Sequence, residues 1–312
     1  MSAAWVAGST RARAMASRRV GIAAARELAA LRSWESATAR LADTPYGERV
    51  LPARSLEEAQ HAIAETVLWN LRVLAGWLPV QGAELLRALV GWFEIANVDE
   101  HLRALEGEAA GPYFRLGGLA TAWPRLATAT TAEQVRAVLA TSRWGDPGDA
   151  TARSIRLRML AAWAARVYAA APSAQSWAAM GAALLASRVT MVEHRPFPEL
   201  AVHALDAVLP GLASGSDPLA LPGMPGAARD VLPKASPSLA PEDAATALWE
   251  SEGRWWSRVE ADAFRLLRGS GFGKEPIVGA AMLLAADARR VRAAVAAAGH
   301  GTAGKAVFDA VG

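Results

Sequence analysis

The stretch GWFEIANVDEHLRAL, from Gly91 to Leu105, decides the fold class. Read with the residues just before it, Leu86, Leu89, Phe93, Val98, Leu102 and Leu105 recur at roughly helical spacing, which predicts an amphipathic helix with one buried side. Glu94, Asn97 and Arg103 form a polar insert among them. Glu94 and Asn97 stand three apart and fall close to one helical face. Two readings are open. The pair forms a solvated edge, or it is a polar tie between packed helices, in which case both groups need partners inside.

The same signals recur on either side. Ser55-Leu56-Glu57-Glu58 is a capping box, followed by an apolar stripe at Ile63, Val67, Leu71, Leu74 and Leu78 that Pro79 closes. Thr131-Ala132-Glu133-Gln134 is a second box. Ile155, Met159, Trp163 and Val167 form another stripe, ended by Pro172. Pro241 suits a first helical turn, with Glu242 and Asp243 favourable beside it, and Pro276 opens a last long helix. Between Pro210 and Pro241 prolines and glycines alternate too densely for helix, which predicts a linker. Three turns punctuate the chain: Thr44-Pro45-Tyr46-Gly47, Ser142-Arg143-Trp144-Gly145 and Glu252-Gly253-Arg254-Trp255-Trp256. Each precedes a longer helical hairpin, so a weak threefold repeat is read.

Composition agrees with helices. The 312 residues are 53% hydrophobic, much of it alanine, the strongest helix former. No long alternating β-branched run supports a sheet. There is no cysteine, which removes disulfide and thiolate chemistry and fits a reducing compartment. The net charge is +3 with a pI near 9.7, because arginine dominates and lysine occurs only at positions 234, 274 and 305. The charge is balanced along the chain, so nucleic acid is not an expected partner. The apolar runs are too short to span a bilayer, and no secretory leader is read, so a soluble protein that stays in the cytoplasm is expected.

Chemistry-bearing patterns are sparse. His61, His101, His194, His203 and His300 include no pair at the spacing of two ligands on one helical face, and no carboxylate set completes a metal site. Gly269-Ser270-Gly271-Phe272-Gly273-Lys274 is one residue short of a phosphate loop and lacks the following Ser or Thr, so it reads as a connector. No cofactor, metal or catalytic residue is expected. Of the twelve tryptophans, Trp69, Trp77, Trp92, Trp163 and Trp177 lie in apolar stripes and are read as core. Trp144, Trp255 and Trp256 lie near polar turns, where they either pack helix ends or offer an interface. Arg289, Arg290 and Arg292 cluster on the last helix, either as a solvated face or as a surface offered to a partner.

Several of these pieces resemble, in order, the central-stalk C protein of the archaeal and bacterial V/A-type rotary ATPases, whose eukaryotic counterpart is the V-ATPase d protein. They are the first-helix RARAM and SRRV (Arg11 to Met15 and Ser17 to Val20), LADTPYGERV (Leu41 to Val50), Glu94-Ile-x-Asn97 with Leu102-Arg103, GPYFRLGGL (Gly111 to Leu119), ATSRWGD (Ala140 to Asp146) and the closing helix Glu275 to Ala297. Two places depart from the family pattern: Arg188, Thr190 and Glu193 replace a second Glu-x-x-Asn, and Ala285-Ala286-Asp287 replaces a glutamate pattern. The resemblance implies an all-α chain of three similar helical-bundle domains in a pseudo-threefold, funnel-like arrangement. The repeats would cover residues 1–118, 119–209 and 241–312, with a linker at 210–240. It implies a non-catalytic part of the central stalk, peripheral on the cytoplasmic membrane face, which couples a shaft made of the D and F proteins to the proteolipid ring. The candidate structural or interface residues are then Glu94, Asn97, Arg103, Trp144, Trp255, Trp256, Arg289 and Arg292. A free-standing helical scaffold for protein partners is the rival expectation, and a helical enzyme on a lipid-like substrate a third.

Overall fold

In the computed structural model the described residues, 2–212, 241–300, 304–306 and 308, are all-helical and contain no strand. The predicted linker falls almost entirely on 213–240, outside the described residues, and the side chains of Pro241, Glu242 and Asp243 are outside them too. The helices are α1 (Ala3–Ser17), α2 (Gly21–Ala29), α3 (Trp34–Arg40), α4 (Gly47–Val50), α5 (Leu56–Ala75), α6 (Val80–Leu89), α7 (Gly91–Leu105), α8 (Trp123–Leu126), α9 (Ala132–Ala140), α10 (Ala152–Ala170), α11 (Gln175–Met191), α12 (Glu199–Asp206), α13 (Pro241–Arg268) and α14 (Lys274–Ala297). Among the described residues, no helix is long and apolar enough to cross a membrane.

Both predicted capping boxes start helices, with one difference from the expected geometry. Ser55 Oγ accepts from Glu58 N at 3.1 Å, and Thr131 Oγ1 from Gln134 N at 3.2 Å. The reciprocal arm reaches one residue further back: Arg54 N donates to Glu58 and Thr130 N to Gln134. Ser33 and Thr151 cap α3 and α10 in the same way, through Ser36 N and Ser154 N. Each such cap stabilises its helix by about 1 kcal/mol.

The chain divides into two compact units, Met1–Leu86 with Arg258–Gly312, and Arg87–Ser257. The first unit therefore joins the two ends of the chain. Its axis is α14, against which α1, α2, α3 and α5 pack. The α13 helix also comes close to α14 at a glycine: a Cβ on Gly279 would stand 2.8 Å from the Ala263 carbonyl oxygen. Leu28, Ile63, Val67, Leu71, Ile277 and Val291 fill the space between the packed helices. In the second unit α10 packs against α7, α11 and α12. Ile95, Val98, Leu102, Leu126, Leu139, Ile155 and Met159 close around Trp144.

Two tryptophans depart from the reading as core. Trp69 is 44% exposed and Trp77 49% exposed. Their apolar faces are covered instead by cations: the Arg49 guanidinium lies 5.6 Å from the Trp69 ring centroid and that of Arg11 lies 4.7 Å from Trp77. An aromatic at the margin of a stripe can satisfy helical periodicity while facing outward, because a stripe is wider than the contact it makes.

Candidate functional site

Glu94 is buried, and it is a tie rather than an edge. One carboxylate oxygen accepts from Thr121 N at 2.6 Å, and the other from Ala122 N at 2.6 Å and from the Trp144 indole Nε1 at 3.0 Å. Three elements thus meet at one carboxylate: α7, the turn before α8, and the Ser-Arg-Trp-Gly turn after α9. A charged acceptor strengthens each of these bonds. Trp144 itself is 0% exposed, so of the two readings open for it the side chain takes the packing one. Its ring fills the core, and its one polar atom is turned to Glu94.

The first unit contains the same knot, built from residues far apart in sequence. Asp287 on α14 accepts from Val20 N at 3.1 Å, from Gly21 N at 2.8 Å and from the Tyr46 hydroxyl at 2.8 Å. Again a helix carboxylate takes two successive backbone N–H groups and one aromatic donor. The turns that supply the aromatic match in detail. Thr44 Oγ1 donates to Leu41 O and accepts from Tyr46 N, as Ser142 Oγ donates to Leu139 O and accepts from Trp144 N. Gly47 and Gly145 follow the two aromatics. Burial raises the Tyr46 pKa well above that of an ordinary phenol, and the Asp287 charge and hydrogen bond add to the rise. The Tyr46 proton is therefore held firmly, and both carboxylates spend their acceptor capacity on positioning backbone.

Sequence reading found Glu94 and the recurrence of the two turns. It missed Asp287, which stands out in sequence only as a departure from a glutamate pattern. Nothing local marks Asp287 as a counterpart of Glu94, because its partners are more than two hundred residues away.

The other candidate residues take separate roles. Asn97 is buried and pairs with Phe114 as a strand would: its Oδ1 accepts from Phe114 N at 2.7 Å and its Nδ2 donates to Phe114 O at 2.9 Å. Arg103 is exposed, donates to Glu100, Glu108 and the Ala109 carbonyl, and is held in place by the first two. Glu94, Asn97 and Arg103 therefore fasten the segment 109–122 at successive points along α7. Asn97→Ala is expected to cost about 2 kcal/mol, since two partly buried backbone groups lose their partner; urea unfolding measures it, together with faster amide exchange at Phe114.

Trp255 and Trp256 are half-buried and tilted against each other with centroids 4.9 Å apart. Trp255 Nε1 donates to the Trp177 carbonyl. The arginine cluster on α14 does not act as one face. Arg290 is buried in a two-pronged pair with Glu260, at 3.0 and 2.6 Å, while Arg292 and Gln60 exchange hydrogen bonds at 2.8 Å each. Arg289 is half-buried. His101 bridges Tyr113 and the Ala129 carbonyl inside an aromatic cluster with Trp123. Among the described residues no group of three His, Asp or Glu side chains is placed to hold a metal ion.

No protein-family model matches the chain, and no curated protein matches its sequence.

Around Glu94 the second unit gathers arginines. Arg166 lays its guanidinium 4.6 Å from the Trp144 ring centroid and donates to Thr121 Oγ1. Burial pulls its pKa down; Glu94 opposes this, and Arg143 and Arg87 add to it. Nearby acids diverge. Burial raises the pKa of Asp99, with Arg156 opposing, while hydrogen bonds from Arg136 and from Thr151 lower those of Asp146 and Asp149. The two depressed groups contribute stability that is present above the unfolded carboxylate pKa of about 3.9 and is lost as the pH falls through their folded values. Asp99 has the opposite sign: its contribution is present below that value and is lost as the pH rises through its folded pKa. A carboxyl-detected NMR titration should place Asp99 above, and Asp146 and Asp149 below, an unperturbed aspartate.

Proposed function

We propose that this chain is a non-catalytic coupling part of a rotary V/A-type ATPase or ATP synthase, similar to the central-stalk C protein of those motors. It would sit on the cytoplasmic face of the proteolipid ring, receive the shaft of D and F proteins, and transmit rotation for proton or sodium transport. A mechanical role of this kind needs a body that does not shear under load. The observation that carries the reading is the duplicated carboxylate knot. The residues that carry the family resemblance, Tyr46-Gly47, Glu94, Asn97 and Trp144-Gly145, are those that lock helices to connecting segments. Two copies of one locking device also support descent from a repeat, and the three-domain funnel is proposed on that basis.

The test is co-purification. The chain, tagged and expressed in its native host, is recovered in mild detergent and its companions are identified. Recovery with the D, F and proteolipid proteins supports coupling. Recovery with other proteins only, and without any motor component, replaces this reading with that of a free-standing helical scaffold.

A further inference from the structure

The two knots are alike in their bonds and differ in what surrounds them. In the second unit Trp144 and Arg166 stand beside Glu94, and Trp163 packs at Gly91, three residues before it on α7. Gly91 is what admits the two indoles, since a Cβ there would lie 2.9 Å from Trp163 and 3.1 Å from Trp144. In the first unit the corresponding places hold smaller groups. Tyr46 stands for Trp144. Val67 and Asn70 stand as far along α5 from its cap Ser55 as Trp163 and Arg166 stand along α10 from Thr151. Leu284 stands for Gly91, three residues before the carboxylate in each case. The exchange of two indoles and a guanidinium for a phenol, an isopropyl group and a short amide outweighs the one gain of a leucine. The result is a small open cleft lined by Tyr46, Val67, Asn70, Leu284 and Asp287, with Arg18 and Arg19 also on its walls.

We infer that this cleft receives the guanidinium group of an arginine side chain from a partner protein, in the place that Arg166 fills within the second unit. Three features favour that occupant. The aromatic ring and the buried carboxylate are present in both knots, and a guanidinium already lies against the pair in one of them. A planar cation with an apolar face suits a cleft whose other walls are Val67 and Leu284, whereas a hydrated ammonium does not. Of the two cations on the walls, Arg19 is drawn away from the cleft, over the Phe264 ring and onto the Ala16 carbonyl. Arg166 keeps its place although Arg143 and Arg87 are near enough to lower its pKa. The inference concerns one cleft and does not depend on the partner being a motor component.

The experiment uses the full-length protein, 15N-labelled, with N-acetyl-arginine amide, N-acetyl-lysine amide and inorganic phosphate as probes. The arginine probe is expected to shift the Asn70 side-chain amide and the Gly21 backbone amide saturably, in the millimolar range. The lysine probe should act several-fold more weakly, and phosphate should leave both signals in place. Asn70→Arg, which rebuilds the arrangement of the second unit, should raise Tm and abolish the Gly21 response. Saturable shifts from phosphate, equal shifts from lysine and arginine, or no response to arginine would each overturn the proposal. So would an Asn70→Arg variant that is folded and still binds the arginine probe unchanged.

Discussion

Glu94→Ala is expected to lower the unfolding free energy by about 3–5 kcal/mol, the largest effect of any single side-chain truncation at either knot. The size follows from what stays behind. The Thr121 and Ala122 amides and the Trp144 indole N–H are left without an acceptor around a void, and each buried orphan donor costs about 1–3 kcal/mol. Arg166 also loses the one carboxylate that opposes its desolvation. In a unit of this size the change corresponds to a fall in Tm of roughly 10 °C. Glu94→Gln separates the contributions. It keeps one acceptor oxygen but turns an NH2 group toward a donor, so it should lose about half as much. Amide exchange at Thr121 and Ala122 reports the knot directly and should accelerate in both variants. A loss below about 1 kcal/mol for Glu94→Ala would mean that water replaces the carboxylate, and the knot would then not be the source of stiffness.

The legibility of these elements in the sequence differs by range. The α7 helix and the helices begun at Ser55 and Thr131 are readable because caps and stripes act over a few residues. The pairing of Glu94 with the turn at Thr121 is half readable: burial of an acid on an apolar stripe demands partners, but does not say which ones. Asp287 is beyond reach, since its donors Val20, Gly21 and Tyr46 lie at the other end of the chain. The tryptophans differ in how far the sequence decides them. Trp144, beside polar residues, is fully buried and its indole N–H has an internal acceptor; Trp69 and Trp77, inside stripes, face outward, with arginines laid over their rings. In each case the partner is nonlocal and absent from any local pattern.

Gly47→Ala should destabilise the first unit by about 3 kcal/mol or more, and by more than Gly145→Ala destabilises the second. The two glycines follow the two knot aromatics and look equivalent in sequence, yet they are required for different reasons. Gly145 has φ of +78°, and a Cβ there would come within 2.9 Å of the Arg158 Cζ. The left-handed backbone costs an alanine about 1–2 kcal/mol, and the long Arg158 side chain can swing aside. Gly47 has no such backbone requirement; its added Cβ would press on the backbone of Ala42, 2.7 Å from the carbonyl carbon and 2.8 Å from Cα. That obstacle is main chain at the close of α3 and has no rotamer to change. The turn must open, and opening it draws the Tyr46 hydroxyl away from Asp287, so the clash spreads into the knot. Urea unfolding of both variants gives the ranking. Faster exchange at the Val20 and Gly21 amides in Gly47→Ala, with no change at Thr121 and Ala122, would show that the damage passes through Asp287. The reverse ranking would place the cost in backbone dihedral strain rather than in close packing, and the two turns would then be alike only in sequence.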